Sequence, residues 1–184
     1  MKRAILAILI LLFHAYVCDA QTFVVKTNAL YWATTTPNVG LEVAVAPRWT
    51  LSLKGGYNPW TLDAKKNIKA KHVLVTPEAR YWFCESFLGH FISLHANGTY
   101  FNVGGIPLFE DARRQGWAVG AGLGYGCSWP IARRWNIEAN IGFGVWYTQY
   151  DSYQTKICGL FNETVHKFAF APTSLGLSFI YIIK

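Results

Sequence analysis

Strict alternation of apolar and polar residues over long stretches is the feature that most constrains this chain. From Trp135 to Tyr147, Trp135, Ile137, Ala139, Ile141, Phe143, Val145 and Tyr147 alternate with Asn136, Glu138, Asn140, Gly142, Gly144 and Trp146. A period of two puts successive side chains on opposite faces of an extended strand, so one face is greasy and the other polar or tiny. The pattern recurs over Trp49–Tyr57, Ile92–Tyr100, Gly116–Cys127 and Leu175–Ile183, and more weakly over Phe23–Tyr31, Val39–Val45 and Val73–Tyr81. No stretch after the first twenty residues approaches the run of about 18 apolar residues that a transmembrane helix needs.

These runs predict an all-β chain, an eight-stranded antiparallel up-and-down transmembrane β-barrel. The composition favours a face turned away from water: aromatic residues make up 16% and charged residues only 15% of the chain. Arg48-Trp49, Arg80-Tyr81-Trp82 and Arg134-Trp135 fall at strand boundaries beside short connections, which predicts Trp49, Trp82 and Trp135 as interface aromatics on one rim. The connections Asn58 to Lys71, Asn102 to Arg114 and Tyr150 to His166 are longer and more polar, and are predicted as loops at the other rim. The polar faces assign Lys26, Asn28, Glu42, Lys54, Glu78, Arg80, His95, Glu138 and Asn140 to a filled lumen of opposite charges.

Residues 1–20 read as a cleavable signal peptide. Lys2 and Arg3 precede the apolar run Ala4 to Phe13, and small residues at Cys18 and Ala20 favour a cut before Gln21. Residues 21–184 then form one barrel domain, exported to a bacterial outer membrane with the lipid bilayer as its partner. An envelope or surface-assembly protein is a second candidate partner, through the long loops. Cleavage lowers the formal charge from +7 to +6, because Lys2, Arg3 and Asp19 are lost. No basic helix or RNA-binding motif points to nucleic acid. Lys65, Lys66, Lys69 and Lys71 form a cluster suited to phosphate or head groups, although a solvated loop explains it with less.

No cofactor, metal or catalytic site is predicted. Cys84, Cys127 and Cys158 lack zinc spacing, and a bridge between any two of them is left open. Ser93 with His95, and Ser86 with His90, are the nearest approach to a nucleophile and base, without a nucleophile motif around either. The leading expectation is a non-enzymatic barrel with a structural or interaction role. A lipocalin-like soluble carrier, with its apolar residues inside, and a lipid-modifying barrel enzyme are the alternatives.

The segments 26–38 (KTNALYWATTTPN), 55–60 (GGYNPW), 77–82 (PEARYW), 89–91 (GHF), 134–138 (RWNIE) and 179–184 (FIYIIK) resemble the Bacteroidetes family labelled domain of unknown function 3575. The resemblance implies an outer-membrane β-barrel with a signal peptide, no agreed activity and no catalytic residues to carry over. Two departures stand out. Relatives often carry two nearby cysteines where this chain has only Cys158, and the chain ends in Lys184 rather than an aromatic residue.

Overall fold

The computed structural model describes residues 22–63, 68–105, 112–154 and 159–183. The expected signal peptide, Cys158 and Lys184 lie outside them. Nine strands and one short helix follow in chain order: β1 (Phe23–Asn28), α1 (Ala29–Ala33), β2 (Asn38–Ala46), β3 (Trp49–Asn58), β4 (Thr61–Asp63), β5 (Ile68–Trp82), β6 (Gly89–Gly104), β7 (Ala112–Ala132), β8 (Trp135–Gln154) and β9 (Phe161–Ile182). All pairings are antiparallel. The sheet runs β3-β2-β1-β9-β8-β7-β6-β5-β4, and a further ladder from Trp49↔Tyr81 to Asn58↔His72 joins β3 to β5. Eight strands therefore hydrogen-bond in a ring, and β4 hangs from β5 as an extra edge.

The ring corrects the expected transmembrane barrel. β1 has six residues and β2 nine, whereas β7, β8 and β9 have 21, 20 and 22. The closed sheet is consequently lopsided rather than axisymmetric. A tilted strand needs about 9 to 11 residues to cross a bilayer, and a spanning barrel needs every strand to cross. At β1 the ring is too short. The transmembrane fold, the outer-membrane location and the bilayer partner are not carried forward. No described helix is long and apolar enough to cross a membrane, a statement about helices alone.

What shortens β1 is a pair of asparagines. Asn28 caps α1, its side chain accepting from the Leu30 amide, as an N-cap residue does. Asn38 then replaces a strand neighbour. Its Oδ1 accepts from the Asn28 amide at 2.7 Å and its Nδ2 donates to the Asn28 carbonyl at 3.0 Å. The strand expected over Phe23–Tyr31 therefore ends at Asn28. The long loops are corrected as well. Two of them are largely hairpin: β8 runs on to Gln154 and β9 begins at Phe161, while β6 extends to Gly104 and β7 begins at Ala112. A role seated in three long loops loses its basis.

Alternation survives as inside against outside. In β5, Thr76, Glu78, Arg80 and Trp82 are buried, and Val73 and Val75 face outward. In β8, Asn136 and Glu138 are buried, and Ile141, Phe143 and Val145 are exposed. The outer face is thus rich in apolar side chains. Inside, Val24, Trp82, Phe87, Phe91 and Ile180 form an apolar floor at the end of the short turns.

Glycines on β7 make room for that floor. A Cβ on Gly126 would lie 2.4 Å from Phe91 Cζ and 2.8 Å from the Ala139 carbonyl oxygen, one a core ring and the other backbone. At Gly98 an added Cβ meets nothing within 4 Å. We expect Gly126→Val to lower stability by about 1 to 3 kcal/mol, the usual cost of overpacking. Gly98→Ala should leave the urea midpoint nearly unchanged. Equal midpoints for the two variants would contradict the placement of Phe91.

Candidate functional site

Three cations and three carboxylates meet above the floor. Arg80 is at their centre: Nη1 lies 2.6 Å from Glu138 Oε2 and 3.2 Å from Glu42 Oε2, and Nη2 lies 3.0 Å from Glu78 Oε2 and from Glu138 Oε1. Lys26 pairs with Glu42, Lys54 Nζ pairs with Glu78 at 2.8 Å, and Thr50 donates to Glu42. Formal charges of Lys26, Lys54 and Arg80 cancel those of Glu42, Glu78 and Glu138. The guanidinium also lies 4.3 Å above the Phe91 ring, a cation–π contact that ties the cluster to the floor.

Burial and charge oppose each other at every member whose proton affinity moves. Burial raises the Glu78 carboxyl, but Arg80, Lys54 and Lys26 outweigh it and hold Glu78 well below its ordinary range. Glu138 is likewise raised by burial and lowered more by Arg80 and Lys26. Burial and two like charges lower Lys54 despite Glu78. An isolated buried charge is costly, and this arrangement keeps each one paired.

Above the cluster is a narrow cleft lined by Lys26, Asn28, Lys54, Asn97, Glu138 and Asn140 among others. It leaves about 30 Å³ for water-sized molecules, room for two or three waters at roughly 10 to 15 Å³ each. A drug-sized ligand occupies a pocket of about 300 to 1,000 Å³. This cleft does not hold one.

Spaces of that size lie outside the ring, beside α1. One groove of about 450 Å³ is lined by Trp32, Pro37, Val39, Tyr57, Val73 and Val75 with neighbouring residues. A second, of about 380 Å³, is lined by Trp32, Thr35, Pro37 and Trp60. They share Trp32 and Pro37 and so adjoin. Both indoles are fixed by their N–H groups, Trp32 donating to Thr27 Oγ1 at 2.7 Å and Trp60 to the Thr35 carbonyl at 2.9 Å. With those donors engaged, the walls offer ring faces and aliphatic carbon.

A family model described as a protein of unknown function (DUF3575) matches residues 5–183. The chain belongs to the DUF3575 family. No curated protein and no solved structure matches it.

The lumen residues expected from the sequence of this DUF3575 protein come together in two groups. Lys26, Glu42, Lys54, Glu78, Arg80 and Glu138 form the ion cluster. Asn28, His95 and Asn140 stand nearer the open end: Asn28 Nδ2 donates to the Leu175 carbonyl, His95 Nε2 meets Thr173 Oγ1 at 2.8 Å, and Asn140 Nδ2 donates to Ser174 Oγ at 2.7 Å. Burial is the main influence lowering the His95 imidazole. Of the three interface aromatics, Trp49 and Trp135 are exposed and pack against Tyr81 and Tyr181 at ring separations of 5.2 and 5.0 Å. Trp82 is corrected. It is wholly buried in the floor, and its indole N–H donates to Thr50 Oγ1.

Neither serine–histidine pair forms in the DUF3575 chain. His95 is engaged by Thr173, Ser86 Oγ donates to the Ala46 and Pro47 carbonyls, and His90 meets the Tyr125 hydroxyl at 2.7 Å. Among the described residues no group of three or more His, Cys, Asp or Glu is placed to hold a metal. Cys84 and Cys127 are free thiols. Residues absent from the sequence-based list complete the site: Thr50, Asn97 and Thr173 inside, and Trp32, Pro37 and Trp60 outside. Thr50 and Asn97 obey the same alternation, whereas Thr173 is buried where the β8–β9 register shifts, an irregularity that a strict period of two does not show.

Proposed function

We propose that this DUF3575 protein is a non-enzymatic binding domain that carries a small, largely apolar ligand in the outer groove beside α1. The indole-walled groove supports the reading most directly: it is an open depression of about 450 Å³ walled by aromatic and aliphatic carbon, whereas the cleft inside leaves about 30 Å³. A lipocalin-like carrier keeps its ligand within an apolar lumen. Here the lumen is filled by a neutral ion cluster, and ligand binding moves to the indole-walled surface. From the sequence resemblance we further infer a Bacteroidetes source.

A fluorescent long-chain fatty acid analogue tests the proposal. We expect saturable binding that Trp32→Ala, which removes the indole shared by both grooves, weakens roughly tenfold, the scale of an aromatic hot spot. Trp129, exposed elsewhere on the outer face, supplies the control, and Trp129→Ala should bind as the parent does. Equal affinities for the Trp32 and Trp129 variants would show that the probe merely coats the apolar face.

A further inference from the structure

We infer that Lys69, Lys71 and Arg113 form an anion site on the outer face at the tall end of the ring, and that it takes a phosphate group. The three side chains reach one patch through the register of three neighbouring strands. Lys69 on β5 pairs with Gly104 on β6, and Lys71 two residues along pairs with Asn102, which pairs with Gln115 on β7. Arg113, two residues before Gln115, lies against Gly104: a Cβ there would come within 2.8 Å of Arg113 Cα and 2.9 Å of its Cγ. Lys69, Lys71, Arg113 and Gln115 share the outward face, because residues two apart on a strand point the same way.

Glycine at 104 lets the stem of Arg113 lie directly over β6, between its own strand and Lys69. Two strand spacings put those residues about 10 Å apart along the sheet, a gap that their flexible side chains can close around one tetrahedral anion. The Arg113 guanidinium lies 4.8 Å from the Tyr153 ring, which restrains it, while its Nε has no hydrogen-bond partner. Among the described residues, Arg113 and Lys71, both of its own sign, act on Lys69 besides its burial. Like charges held together repel one another, and an anion relieves the repulsion. The planar fork of arginine matches two phosphate oxygens at once, which favours phosphate over a monovalent ion.

Titration of the full-length protein with inorganic pyrophosphate, followed by calorimetry and by the ³¹P line width, tests the site. We expect saturable binding that weakens as salt is raised, and a loss of roughly tenfold in the combined Lys69→Gln, Lys71→Gln, Arg113→Gln variant, as three modest charge contacts together give. Lys71 is exposed, so Lys71→Gln alone keeps the experiment readable if the triple variant does not fold, with an expected loss of about twofold to threefold. Failure of the parent to bind pyrophosphate, or undiminished binding by the triple variant, would overturn the proposal. The patch and the groove beside α1 share no residue, so either site can fail without the other.

Discussion

Replacing Arg80 with leucine is expected to destabilise the protein by about 3 to 5 kcal/mol, the cost of leaving buried charges without their partner. One guanidinium contacts all three carboxylates of the cluster. Without it, Lys26 and Lys54 remain against Glu42, Glu78 and Glu138, a net negative charge enclosed by the ring. Lysine does not substitute for arginine here, because a single ammonium cannot reach Glu138 and Glu78 from separate nitrogens as Arg80 does. Urea unfolding of Arg80→Leu, Arg80→Lys and the double variant Arg80→Leu, Glu138→Leu measures the effect. The double variant should be more stable than Arg80→Leu alone, because it removes the uncompensated carboxylate together with the arginine. Strictly additive losses would mean that the two groups do not act as a pair.

The inward and outward assignments were legible because a period of two leaves only one choice of phase for each strand. That logic also contained the answer for Trp82. Arg80 and Trp82 are two apart on β5 and must share a face, so reading Arg80 as lumen and Trp82 as rim was inconsistent. The recurring Arg-Trp pairs favoured the rim, and burial against Phe87 and Phe91 prevailed.

What local pattern did not carry was the shape of the ring. Alternation says that a strand exists without saying where its hydrogen bonds stop. β1 ends because Asn38, ten residues away, binds both backbone groups of Asn28. The polar hairpin ends of β8 and β9 read as loop because Asp151, Asn162 and Glu163 have low strand propensity and the stretch lacks an apolar face. They are strand because their backbones pair across the ladder, with Thr164 donating to Asp151. The groove beside α1 was still less visible. Trp32 and Trp60 are separated by two strands in the sequence and become neighbours only when β2 and β3 fold back and set both indoles around Pro37.

Acid should unfold the protein in two stages. The first involves His95, whose folded imidazole binds its proton less readily than an ordinary histidine, at 6.5, because burial disfavours the charged ring. Its contribution is complete above pH 6.5 and falls as the pH drops through the folded value, since the unfolded chain takes up the proton first. The second stage involves Glu78 and Glu138, both held below the ordinary glutamate value of 4.5 by Arg80 and the lysines beside it, against their burial. A depressed carboxyl stabilises the folded state at neutral pH, and that stability drains away below pH 4.5 as the unfolded chain protonates. The loss steepens because each protonated carboxylate leaves Arg80, Lys26 or Lys54 less compensated inside the ring. Thermal midpoints recorded from pH 8 down to pH 3 should therefore decline gently below 6.5 and steeply below 4.5. His95→Gln should remove the gentle limb and keep the steep one. A midpoint that stays flat down to pH 3 would mean that the cluster adds nothing to the stability of the ring, and Arg80→Leu would then have no large effect to show.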